Sequence, residues 1–140
     1  MPALGGVYKL AGIEKDGKII PKIKVSDNSA KITNPGFKTI YRIYDKKTGK
    51  AEADLIALRD EKFDFTKPIT LTHPTERWKT ITFTDYIARE LPIKAVENGK
   101  LAYNTPSIKE IADYARKETE TFWDGKNTPE EMVEVAIEKK

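Results

Sequence analysis

Three turn signals, each flanked by alternating side chains, constrain this chain more than any other feature. Asp16-Gly17 and Asn98-Gly99 are dipeptides that tolerate the positive φ angles of tight hairpin turns, and Gly49 ends a polar stretch where such an angle forms a bulge. Two-residue turns join antiparallel strands. The sequence therefore predicts a fold rich in antiparallel hairpins.

The strands around these turns follow from alternation and composition. The first predicted hairpin runs outward over residues 7–13 and returns over 19–25, as an edge or broken strand because Pro21 cannot donate to a ladder. The second and clearest pairs residues 39–44 with 51–57. Residues 26–36 and 59–67 are predicted as loops. Further strand-forming segments lie at 69–71 and 79–83, and a third hairpin lies around Asn98-Gly99.

The hydrophobic period changes after residue 106. Ser107 and Glu110 fit a capping box, and the residues that follow place apolar side chains at helical spacing. The pattern predicts a helix over about 107–123 whose apolar stripe packs on a sheet. The stripe consists of Ile108, Ile111, Ala115 and Phe122. The predicted class is α+β, a hairpin-rich β domain with one main C-terminal helix. Residues 128–137 fit a short helix and a strand equally.

Composition excludes several classes of protein. The absence of cysteine removes disulfides, thiolate zinc sites and thiol nucleophiles. No apolar run reaches the roughly 18 residues of a membrane span, and the N-terminus lacks signal-peptide character, so we expect a cytoplasmic protein without a membrane partner. The net charge of +3 divides into +7 over residues 1–50 and −4 over residues 51–140. A basic segment is typical of a protein that binds a phosphate-bearing partner. The favoured explanation of this charge is that lysines keep the edges of the sheet soluble and unpaired.

Motifs that carry chemistry are scarce. Neither common glycine-rich phosphate loop occurs, and the single histidine, His73, is best explained as a loop residue beside a proline. A basic hairpin carries Tyr41, Arg42 and Tyr44. The aromatic rings could stack on the bases of single-stranded nucleic acid while the cation neutralises a phosphate, although alternating aromatic residues are more often core residues. No catalytic residue and no metal ligand is therefore predicted.

Several strings in this chain resemble, in order, the C-terminal portion of nicotinate phosphoribosyltransferase. These are "PALGGVYKL", "KIKVSDNSAKITNPGFKTIYRIYD", "TGKAEADLIAL" and "ENGKLAYNTPSIKEI". The resemblance covers roughly residues 2–123 and weakens after Trp123. The glycine-rich phosphate loop and the phosphorylated histidine of the family lie upstream of the first string and match no residue here.

The resemblance implies a parent enzyme of NAD biosynthesis, a glycosyl transferase that is also classed as a ligase. It joins nicotinate to phosphoribosyl pyrophosphate, with ATP hydrolysis, to give nicotinate mononucleotide. Residues 1–36 would form a hairpin and loop that leave the catalytic barrel, and residues 37–140 would form the C-terminal β-rich domain. The chain itself would be an accessory domain, inactive alone and without a cofactor, while Mg²⁺ and ATP would belong to the parent.

Expectations about binding are correspondingly narrow. Four cations are the candidates for a supporting role in substrate binding: Lys9, Lys24, Lys31 and Arg42. The implied partners are the barrel and the N-terminal domain of the same enzyme. An open first strand at residues 7–10 also predicts concentration-dependent homodimerisation or disorder of residues 1–6. A nucleic-acid partner is disfavoured. The alternative function is an independent basic β module that binds nucleic acid or a protein.

Overall fold

A computed structural model describes residues 9–25, 27, 34–73 and 76–122. The chain forms two compact units, one comprising residues 1–39 with 57–61 and the other residues 40–56 with 62–140. The predicted domain boundary between residues 36 and 37 stays a prediction. The predictions for residues 1–8 and 128–137 lie outside the described residues. No helix among the described residues is long and apolar enough to cross a membrane.

In the first unit, β1 (Gly12–Lys15) and β2 (Lys18–Pro21) form an antiparallel hairpin. Its turn has positive φ angles at Asp16 (52°) and Gly17 (72°), as the sequence predicts. The predicted return strand to residue 25 is too long, because β2 ends at Pro21. Proline has no N–H to donate, and beyond it a backbone bond from Lys22 N to Ala11 O at 2.9 Å continues the pairing.

The remaining elements of the described residues are β3 (Lys38–Asp45), β4 (Ala51–Leu58), β5 (Ile69–Thr72), β6 (Thr80–Phe83), β7 (Tyr86–Glu90), β8 (Val96–Glu97), β9 (Lys100–Leu101) and α1 (Ile108–Phe122). Strands β3, β4 and β7 form a sheet with the order β4-β3-β7, in which residues 40–45, 51–56 and 86–90 belong to the second unit. The pairs β5-β6 and β8-β9 form two-stranded hairpins. In the part of the chain that the structure describes, antiparallel hairpins are followed by one helix, which confirms the predicted α+β class.

One face of this sheet carries a small apolar core. Ile43 on β3 is fully buried. Tyr41 points to the same side as Ile43, since side chains two residues apart on a strand share a face. Its ring packs against Phe63 and Phe65, with centroid distances of 5.9 and 4.9 Å. The predicted loop at 59–67 therefore contributes aromatic side chains to the core.

The helix α1 forms where the sequence predicts it. The backbone N–H of Ser107 donates to Glu110 Oε2 at 2.7 Å and the N–H of Glu110 donates to Ser107 Oγ at 3.3 Å, which confirms the capping box.

The predicted packing of the stripe along its whole length is wrong. Ile108 is 87% exposed and Ile111 51% exposed, and Ala115 is exposed too, whereas Phe122 is half-buried. The helix contacts the sheet through its last two turns because its anchoring side chain, Glu118, lies there.

Candidate functional site

The second face of the sheet is charged. Arg42 on β3 lies directly opposite Arg89 on β7, and Tyr44 lies opposite Ile87. Directly paired residues of antiparallel strands project to the same side, so two guanidinium groups stand next to each other on this face. Like charges in that arrangement repel each other, and the sheet therefore needs carboxylates to compensate them.

Asp54 on β4 supplies the first carboxylate. Arg42 Nε donates to Asp54 Oδ1 at 2.8 Å and Arg42 Nη2 donates to Oδ2 at 3.0 Å. The two side chains are only 18% and 14% exposed. This hydrogen bonding raises the pKa of Arg42 above its usual value, against the opposing effect of burial. The pair is a bidentate, partly desolvated ion pair, the arrangement in which arginine binds a carboxylate most strongly.

Glu118 on α1 supplies the second carboxylate. Its Oε2 accepts a short hydrogen bond from Arg89 Nη2 and a 3.4 Å hydrogen bond from the Tyr44 hydroxyl, and it lies 3.8 Å from Arg42 Nη1. The bond from Arg89 is the main cause that lowers the pKa of Glu118. Burial raises the pKa of Tyr44, so the phenol stays a donor. One carboxylate oxygen thus ties α1 to two strands.

Further contacts hold the same end of α1. The Arg42 guanidinium lies 4.7 Å from the ring centroid of Phe122, and Lys50 Nζ donates to the backbone carbonyl of Glu120 at 2.7 Å. The helix has no basic residue in its own last turn, so Lys50 provides the cation that a helix C-terminus favours. We call Arg42, Tyr44, Asp54, Arg89 and Glu118 the helix clamp. Both of its arginines are committed to ion pairs, so its chemistry is attachment of a helix to a sheet.

The four predicted supporting residues have different surroundings. Lys9 and Lys24 are exposed and belong to the first unit, whereas Arg42 belongs to the second unit and to the helix clamp. Lys31 lies outside the described residues. Their role in substrate binding stays a prediction.

The three side chains considered for nucleic-acid stacking are used within the fold. Tyr44 is 8% exposed, Arg42 is bound to Asp54, and Tyr41 packs on Phe65. None of them presents a free aromatic face next to a free cation, which is what a stacking platform for single strands requires.

An open groove in the second unit lies beside the turns after β3 and β6. Its volume is about 350 Å³ and its rim includes the carboxylates of Asp45, Glu52 and Asp85. Asp85 lies 3.7 Å from Lys46 Nζ, and Asp45 Oδ1 accepts the backbone N–H of Thr48 at 2.6 Å. Asp45 thus stabilises a turn, and Asp85 pairs with a surface lysine.

Within the described segments, no three histidine, aspartate or glutamate side chains are grouped so as to hold a metal ion. His73 has a local role, since its Nδ1 accepts the backbone N–H of Glu76 at 3.0 Å in the β5–β6 connection. This agrees with its prediction as a loop residue.

Two residues of the helix clamp are not predicted from the sequence. Arg89 and Glu118 each have the sequence context of an ordinary surface charge. Glu118 had one usable signal: it lies three residues after Ala115 and four before Phe122, so it is a carboxylate on the apolar face of the helix.

The geometry defines an α+β fold in which the residues of the helix clamp hold the C-terminal helix to a sheet. The family model described as nicotinate phosphoribosyltransferase C-terminal domain matches residues 37–131. The chain belongs to this family.

Three relatives, each described as nicotinate phosphoribosyltransferase, agree with the match. The protein of Bacillus subtilis (strain 168) is 38% identical over 123 residues, which are 88% of this chain and 25% of the relative. The Dictyostelium discoideum protein is 33% identical over 121 residues, 81% of this chain and 20% of the relative. The Caenorhabditis elegans protein is 34% identical over 117 residues, which are 83% of this chain and 20% of the relative. The chain thus spans a fifth to a quarter of the length of these relatives.

Proposed function

We propose that this chain is the accessory C-terminal domain of a nicotinate phosphoribosyltransferase and is catalytically inactive on its own. The family match over residues 37–131 carries the proposal. The enzyme would join nicotinate to phosphoribosyl pyrophosphate with ATP hydrolysis, and the groups that do this chemistry would lie in the other domains, which are the partners we expect.

The requirements of the reaction support an assignment of the reacting groups to the other domains. Negative charge builds on the departing pyrophosphate, so the reaction needs Mg²⁺ and cationic or backbone donors aimed at those oxygens. In the described part of the chain, Arg42 and Arg89 already neutralise Asp54 and Glu118. Lys9, Lys24, Lys31 and Arg42 stay the candidates for a supporting role in substrate binding.

An assay of the isolated chain tests the proposal. The purified protein is incubated with nicotinate, phosphoribosyl pyrophosphate, ATP and Mg²⁺, and pyrophosphate release is followed. We expect no turnover above the protein-free rate, because positioning of all reactants supplies much of the rate and the chain would hold only part of the site. Turnover that persists at physiological salt would contradict the proposal, since weak non-specific phosphate attraction is screened there.

A further inference from the structure

The apolar stripe of α1 packs against the sheet at its C-terminal end and is exposed to solvent at its N-terminal end. We call its open part, formed by Ile108, Ile111 and Ala115, the α1 overhang. Ile108 is 87% exposed and Ile111 51% exposed. At helical spacing these residues share the face that carries Glu118 and Phe122 further along. A single helix face therefore begins in solvent and ends against the sheet.

The α1 overhang is helical without packing on the sheet, because the first turn of α1 is capped. Ser107 and Glu110 exchange hydrogen bonds, and the backbone N–H of Ile111 donates to Ser107 O at 3.0 Å. Capping of this kind stabilises a helix start without tertiary packing. The opposite side of the helix is charged, since Lys117 lies nine residues, or a half-integral number of turns, after Ile108.

We propose that the α1 overhang docks on an apolar surface of the catalytic part of the enzyme, the polypeptide that this chain does not contain. This inference rests on the proposed function. The relatives are four to five times longer than the segment matched here, which covers 25% and 20% of their lengths. A partner polypeptide large enough to cover the overhang is therefore present in the relatives.

A second copy of this chain is a poorer occupant. Stable interfaces between separate proteins involve about 20–30 residues on each side, and the overhang offers three. Inside one polypeptide, the covalent link keeps the local concentration high, so a small apolar contact suffices. The helix clamp would fix the direction in which the overhang points.

The test uses a chimera in which this chain replaces the aligned C-terminal segment of the Bacillus subtilis relative. Ile108→Glu is compared with Lys117→Gln, because both change the net charge by the same amount on opposite sides of α1. In the isolated chain neither variant should lower the unfolding midpoint, since Ile108 is exposed and a glutamate suits the first helical turn. In the chimera, Ile108→Glu should lower the midpoint by several degrees and Lys117→Gln should not. Equal midpoints for the two chimeric variants would overturn the inference.

Thiol labelling gives a readout that does not depend on stability. The chain has no cysteine, so Ile108→Cys and Lys117→Cys each introduce its single thiol. Maleimide should label both equally fast in the isolated chain, and position 108 several-fold more slowly in the chimera, as read by peptide mass spectrometry.

The outcomes separate the two proposals. Equal labelling of both positions in the chimera would overturn the docking. A protected position 108 in a chimera without catalytic activity would uphold the docking and overturn the proposed function. Labelling at position 108 that slows as the isolated chain is concentrated would show that a second copy is the occupant, and would also overturn the inference.

Discussion

At the scale of single residues, the ion pair between Arg42 and Asp54 shows how a β-domain can bury charge. The bidentate bonds of 2.8 and 3.0 Å satisfy the guanidinium where little water reaches it. The carboxylate of Asp54 on β4 compensates this cation from the neighbouring strand of the same sheet. Removing Asp54 leaves Arg42 with the more distant carboxylate of Glu118, at 3.8 Å, and this loss costs more than the net contribution of the pair.

We therefore expect Asp54→Ala to lower the free energy of unfolding by about 1–3 kcal/mol, between the values typical of exposed and of fully buried pairs. Asp85→Ala is the matched control, because it breaks a 3.7 Å pair with Lys46 whose side chains are 53% and 62% exposed. Its cost should stay below about 1 kcal/mol. Urea denaturation of both variants measures the difference, and equal costs would show that the burial of Arg42 is energetically unimportant.

At the scale of elements, the attachment of α1 depends on the ionised form of Glu118. Arg89 on β7, with Arg42 and Tyr44 on β3, faces its carboxylate and lowers its pKa below the usual 4.5. The folded state thus binds the proton less readily than the unfolded state. The stabilisation is present above pH 4.5 and is lost as the pH falls through the folded-state pKa.

Glu118→Gln tests this dependence. Glutamine keeps the size of the side chain and loses its charge, so the variant should be less stable than the parent chain at neutral pH. The gap in the free energy of unfolding should shrink once the pH drops below about 4.5. Other carboxylates, such as Asp64 and Glu110, titrate in both proteins. Their contributions therefore cancel in the difference between the two free energies of unfolding. A gap that stays constant with pH would mean that the charge of Glu118 does not hold the helix.

The elements also show which structural features the sequence could predict. Asn98-Gly99 and the Ser107–Glu110 box are local signals, and both appear in the structure, the first with φ angles of 50° and 72°. The strand β7 was not predicted. Its pairing with β3 links residues more than 40 positions apart, as Tyr41 with Glu90, and no local pattern encodes such a partner.

The helix illustrates a second reason for failure. Its apolar stripe correctly predicts a helix and its amphipathic face, but the stripe does not say what covers that face. Ile108 is exposed although its spacing is that of a core residue. Periodicity reports that a side chain prefers burial. The pattern does not encode which surface covers the face.

At the scale of the whole molecule, the described part of the chain buries few apolar side chains. Only Ile43, Tyr44 and Ala57 are buried among the described hydrophobic residues, whereas 18 large hydrophobic side chains there are exposed. Monomeric proteins seldom expose extended apolar surface without a partner. This balance agrees with a domain that is completed by the rest of a longer enzyme.

The role proposed for this chain is tested by the rate of nicotinate mononucleotide formation in the chimera with the Bacillus subtilis relative. The relative truncated before its matched segment serves as the baseline. We predict that the truncated enzyme is nearly inactive and that the chimera regains a rate within about tenfold of the intact relative, a loss of about 1.4 kcal/mol in transition-state stabilisation. A folded chimera no faster than the truncated enzyme, or a truncated enzyme as fast as the intact one, would contradict the account.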